Sequence, residues 1–145
     1  MILPTWSTAK KNFLIGLFGL LLMPAALAHT NEYLDTLTGT HGGQIRMSGP
    51  FHFELVATPG EITVYVTDHG DTPIETAGAS AVIVLQTGKS RAEISLEPAG
   101  ENFLRGSGKF KLIKSTQAEL VVTMPDVRPQ SASYKPVRKK KLPPK

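Results

Sequence analysis

Two stretches on either side of Pro59-Gly60 constrain this chain more than anything else in it. In Phe51-His52-Phe53-Glu54-Leu55-Val56, Phe51, Phe53 and Leu55 alternate with His52 and Glu54. In Glu61-Ile62-Thr63-Val64-Tyr65-Val66-Thr67, the alternate positions go to Ile62, Val64 and Val66. Successive side chains of a strand point to opposite faces, so strict alternation marks half-buried antiparallel strands. Inward residues must face inward residues, and this sets the register. A two-residue loop at Pro59-Gly60 pairs Thr58 with Glu61, Leu55 with Val64 and Phe53 with Val66. On the other face it sets Glu54 opposite Tyr65 and His52 opposite Thr67, and His69 becomes the diagonal neighbour of His52. Diagonal neighbours lie about 7–8 Å apart at the backbone, a gap two imidazoles close onto one ion. A loop at Thr58-Pro59 would instead set His52 opposite Tyr65 and move His69 away.

Further strands are expected over 80–86, 91–97, 109–113 and 118–124, with Gly-rich and polar clusters between them at 68–73, 87–89, 98–102, 105–108 and 114–116. Six or seven short strands with turn signals about every 8–12 residues predict an all-β domain. The architecture is a small antiparallel, Ig-like β-sandwich or, as the alternative, a small β-barrel. The β-domain spans 50–125. Ahead of it, 29–49 shows little periodicity and has glycines at 39, 42 and 43, and reads as a flexible lead-in. Behind it, 126–145 is rich in proline and lysine and reads as a disordered tail.

The N-terminus carries Lys10-Lys11, an apolar run at 13–23 and the small-x-small ending Ala26-Leu27-Ala28. These are the three parts of a secretory signal. The run of 11 residues is short against the roughly 20 that cross a bilayer. Residues 1–28 are therefore expected to be cleaved, which makes His29 the first residue of an exported protein.

The 145 residues include no cysteine. That excludes disulfides, thiolate metal sites and thiol catalysis, and leaves imidazole, carboxylate, amine and thioether as metal donors. Charge is divided along the chain. Residues 29–127 carry 7 Lys/Arg against 12 Asp/Glu, a net of −5, whereas 128–145 carry 7 Lys/Arg and no acid. The basic balance thus describes a tail on an acidic domain, and with no basic patch evident along the body a nucleic-acid partner is not expected.

Three of the four histidines, His41, His52 and His69, fall within about thirty residues of the first hairpin. Imidazole suits Cu(II) and Zn(II), and Glu54, Asp68 and Asp71 stand close enough in sequence to ligate or orient. His41, beside Gly42-Gly43, has a backbone free to fold over the hairpin face. Four histidines is also an ordinary number, and Asp68-His69-Gly70-Asp71 makes a good turn without any metal. If cleavage follows Ala28, the amine and ring of His29 offer a separate copper chelate, which resembles the copper brace of small periplasmic copper-resistance proteins and of copper-dependent polysaccharide monooxygenases.

The order His41-Gly42-Gly43, His52-Phe53-Glu54-Leu55, Tyr65-Val66-Thr67-Asp68 and Pro73-Ile74-Glu75-Thr76-Ala77-Gly78-Ala79 resembles a module of bacterial heavy-metal resistance. That module is found in periplasmic adaptor subunits of RND-type efflux pumps and as small free-standing exported proteins. The resemblance covers about 39–122. It implies a periplasmic metal-binding or metal-delivery accessory protein, with an efflux adaptor or pump as partner, and it fixes no ligand set. A protein–protein binding module of the envelope, without metal, is the alternative. No Gly-x-Ser-x-Gly, phosphate loop or His-Glu-x-x-His occurs, and the chain reads as non-catalytic. In the tail, Arg138, Lys139, Lys140 and Lys141 suit an anionic membrane surface or an acidic partner, or are simply solvated.

Overall fold

The computed structural model describes residues 31–137. The apolar run at 13–23, His29, and Arg138, Lys139, Lys140 and Lys141 lie outside the described residues. The hairpin is built as its alternation requires. Strand β2 (Phe51–Thr58) pairs with β3 (Glu61–Asp68), setting Leu55 against Val64, Phe53 against Val66, Glu54 against Tyr65 and His52 against Thr67. The connecting Pro59-Gly60 suits a type II turn, whose second central residue needs positive φ. Gly60 supplies it, at +83°.

The other strands are β1 (Gln44–Ser48), β4 (Ser80–Thr87), β5 (Ser90–Pro98), β6 (Phe103–Ser107), β7 (Gln117–Thr123) and β8 (Gln130–Tyr134), after one short helix, α1 (Asn31–Leu34). Every pairing is antiparallel, and the eight strands form one sheet in the order β1-β2-β3-β6-β5-β4-β7-β8. The domain is all-β, with the sheet curled into a nearly closed barrel. Inside lie Phe53, Ile62, Val64, Val66, Ile83, Leu85, Leu96, Leu104, Leu120 and Val122, all essentially inaccessible to solvent. Burying each such side chain contributes about 1.5–3 kcal/mol, and together they stand in for the absent disulfides.

Closure between β1 and β8 is made by side chains. Buried Arg46 on β1 donates from Nε to the carbonyl of Ser133 (3.0 Å) and pairs through Nη1 with Asp35 (2.8 Å). Its guanidinium also lies 5.9 Å from the centroid of the Tyr134 ring. The Tyr134 hydroxyl donates to the carbonyl of Phe53 (3.0 Å), and the amide of Lys135 donates to Oε1 of Gln44 (3.0 Å).

Three features differ from the expected layout. Strands β1 and β8 lie within the stretches read as lead-in and tail, so the ordered sheet extends past 50–125 at both ends. Both are five-residue strands in which polar and small residues alternate with few large apolar ones, a weak pattern. The expected strand at 109–113 is irregular, while β6 occupies part of the cluster read as a turn. The alternation of Phe110 and Leu112 is genuine, since both pack on the core, but this segment has no ladder. Gly106 explains why β6 was hidden. A Cβ there would lie 2.7 Å from a methyl of Leu96, so only glycine admits this approach of β5 to β6.

Candidate functional site

Strand β2 buries both of its faces, with His52 and Glu54 only 7% and 8% exposed. The cover over this outer face is the 39–45 segment on one side and the 69–71 turn on the other. Glu54 anchors the first. Its Oε1 accepts from the amides of His41 and Gly43 (2.8 Å each), and its Oε2 accepts from Nδ1 of His41 (2.9 Å). A buried carboxylate is expensive unless hydrogen-bonded, and three donors meet that need. The glycines make the approach possible: a Cβ on Gly39 or Gly43 would come within 2.6 or 2.7 Å of Cγ of Glu54. These glycines therefore clamp the chain down. The His41 ring is stacked flat on Tyr65, centroids 3.5 Å apart and planes within 1°.

His52 and His69 form the second group. Their ring centroids are 5.0 Å apart with planes inclined by 26°, a stacked placement, with His69 one residue past the end of β3. Nδ1 of His52 lies 3.4 Å from Oδ1 of Asp71, and Nε2 of exposed His69 lies 3.1 Å from the carbonyl of Gly49. Asp71 holds left-handed backbone, φ 61°, which Asp tolerates better than most residues. Asp68 is committed to the turn itself. Its Oδ1 accepts from the amides of Gly70 (2.8 Å) and Thr72 (2.9 Å). These bonds, that from Thr72 foremost, hold its carboxyl below the usual aspartate value.

Thr40, His41, Ile45, His52, Glu54, Tyr65, Thr67 and Asp71 enclose a cavity of about 60 Å³. Both groups thus share one face and one small chamber. They do not merge: among the described residues no three His, Asp or Glu side chains gather around a point that could hold a metal ion. The expected set therefore divides. Glu54 holds His41, His52 stands with His69 and Asp71, and Asp68 shapes the turn.

Two features of this site escaped the sequence. The stacking of Tyr65 on His41 depends on where the 39–43 segment lands, which no periodicity reports. The burial of Glu54 could have been suspected from a lone acid opposite an aromatic in a strand flanked by glycines. Compared with protein-family models, with curated proteins and with solved structures, the chain matches none.

Proposed function

We propose that this protein is a non-catalytic binding domain of the cell envelope that takes a divalent cation of the Cu(II)/Zn(II) class at His52 and His69. The observation that supports this reading is the adjacency of the two imidazoles, together with the partners of their other ring nitrogens. A ligating histidine commonly donates its second N–H to a carbonyl or carboxylate, which fixes ring orientation and tautomer. His69 has the Gly49 carbonyl in that role and His52 has the Asp71 carboxylate. The donor chemistry fits a borderline cation. With two imidazoles and, among the described residues, no group of three His, Asp or Glu side chains around a point that could hold the ion, binding is weak and exchangeable, suited to handing metal on. A role as an accessory to efflux or metal resistance belongs to the same proposal.

A second reading, a protein-binding module without metal, is favoured by the absence of a three-donor cluster among the described residues. Calorimetric titration of Zn²⁺ and Cu²⁺ separates the two. The first reading expects one site in the micromolar range or weaker, lost in His69→Ala, which removes an exposed ring without disturbing the core. Unchanged binding in that variant, or no binding in the parent, overturns it.

A further inference from the structure

Strand directions sort the charges of this domain by end. The β2–β3 turn, the β4–β5 turn, the 108–116 segment and the C-terminus of β8 all lie at one end of the barrel. The turns at 49–50, 69–79, 99–102 and 124–129 lie at the other. Of the seven basic residues in 29–127, five (Lys89, Arg91, Lys109, Lys111 and Lys114) belong to the first end. Asp68, Asp71, Glu75, Glu97, Glu101 and Asp126 crowd the second, against Arg128. Glu61 and the acids Glu32 and Asp35 ahead of β1 also fall toward the first end, so its basic character is a patch at the β4–β5 turn and 108–116, one that the linear sequence conceals.

The cationic end is also split. Strands β5 and β6 pair only at Glu97–Arg105 and Pro98–Leu104. Gly106 and Gly108 still approach Ser95 and Ile94, and past them a cavity of about 330 Å³ opens between 90–92 and 109–111. Its lining combines Leu85, Ala92 and Phe110 with Arg91, Lys109 and Lys111. The segment over the barrel mouth reads Lys109-Phe110-Lys111-Leu112-Ile113-Lys114, and it is held in place at Lys111, whose carbonyl accepts from the hydroxyls of Thr87 (3.2 Å) and Thr116 (3.3 Å). Ile113 is 50% exposed. Among the described residues Lys89, Lys109, Lys111 and Lys114 form no ion pair.

We propose that this end of the barrel docks on an anionic phospholipid bilayer, with Ile113 entering the headgroup layer and the surrounding lysines meeting lipid phosphates. Exposed lysines spread around an apolar centre match a planar surface of many charges, where their aliphatic stems lie along the apolar layer and their ammonium groups reach the phosphates. Arg91, Lys109 and Lys111 line the cavity, whereas Lys89 and Lys114 lie outside that lining, so the cationic area is wider than one small soluble anion would cover. Charge complementarity also sets the orientation, with the acidic end and the histidine pair turned away from the bilayer. Val137, the last described residue, follows the C-terminus of β8 at this same end, and the sequence continues as Arg138-Lys139-Lys140-Lys141. The inference is independent of any metal bound at His52 and His69.

The test is flotation of the chain from His29 to Lys145 with vesicles of phosphatidylcholine alone or mixed with phosphatidylglycerol. Binding is expected only to the mixed vesicles, and it should fall severalfold as salt is raised to about 0.5 M, where screening shortens to a few ångströms. The triple variant Lys109→Glu, Lys111→Glu, Lys114→Glu should bind at least tenfold more weakly with an unchanged thermal melt. Ile113→Ser, a single neutral change on an exposed side chain, should weaken binding without altering the salt dependence. A chain ending at Val137 should retain binding to the mixed vesicles. Triple-variant binding equal to the parent, loss of all binding on truncation at Val137, or binding to soluble polyglutamate without binding to vesicles would each overturn the proposal.

Discussion

Glu54 shows how one residue can decide what a face of this barrel does. Its three acceptor bonds hold the 39–43 segment against β2, and they place the His41 ring on Tyr65. Glu54→Ala should lower stability by about 2–3 kcal/mol, since it leaves two amides without their acceptor. The same change should raise hydrogen exchange at the His41 and Gly43 amides far more than in the β4–β5–β7 core; unchanged exchange there would remove the clamp from the account. Tyr134 makes the corresponding argument on the opposite edge. Burial, opposed by the Arg46 charge, pushes its phenol well above the ordinary value of about 10. The folded chain therefore keeps a proton that the unfolded chain loses above that pH. Stability attached to Tyr134 is complete below about pH 10 and falls above it, by at most about 1.4 kcal/mol per pH unit. Tyr134→Phe should cost about 1 kcal/mol at neutral pH through loss of the bond to Phe53, and should flatten the alkaline decline. An identical alkaline slope in denaturant midpoints of variant and parent would contradict this.

At the scale of elements, side chains rather than a ladder hold the junction of the two end strands. Between β1 and β8 the contacts come from Arg46, Tyr134, Ser48 and Gln130, with Oγ of Ser48 donating to Oε1 of Gln130 at 3.3 Å. Arg46→Ala removes the Ser133 bond and leaves Asp35 without this partner. It should destabilise by about 2 kcal/mol and selectively expose β8 amides to exchange. Uniform exchange across the sheet would mean that the seam opens only with the whole barrel. The hairpin was legible to the residue because alternation, a Pro-Gly turn and a two-sided register act together within eighteen residues of chain. Strands β1 and β8 were not: each pairs with its chain neighbour, but Gln44–Ser48 and Gln130–Tyr134 lack the alternation of large apolar residues that marks β2 and β3. The 109–113 segment failed for the opposite reason. Its alternation reports a two-sided environment, and a ladder needs in addition a partner strand, which 109–113 does not have.

Over the whole molecule, the outer face of β2–β3 gathers the histidines and one end of the barrel gathers the lysines. The sequence located the histidine pair because two strands and a turn define it. It left the lysines unread, because their convergence depends on strand order around the sheet. The central functional claim rests on His52 and His69 acting together while His41 stays locked on Glu54. Imidazole nitrogen NMR during zinc titration tests this most directly. Coincident shifts are expected for His52 and His69, with His41 unmoved until both are saturated. A titration in which His41 responds first, or in which His52 and His69 move independently or stay unchanged, would contradict it.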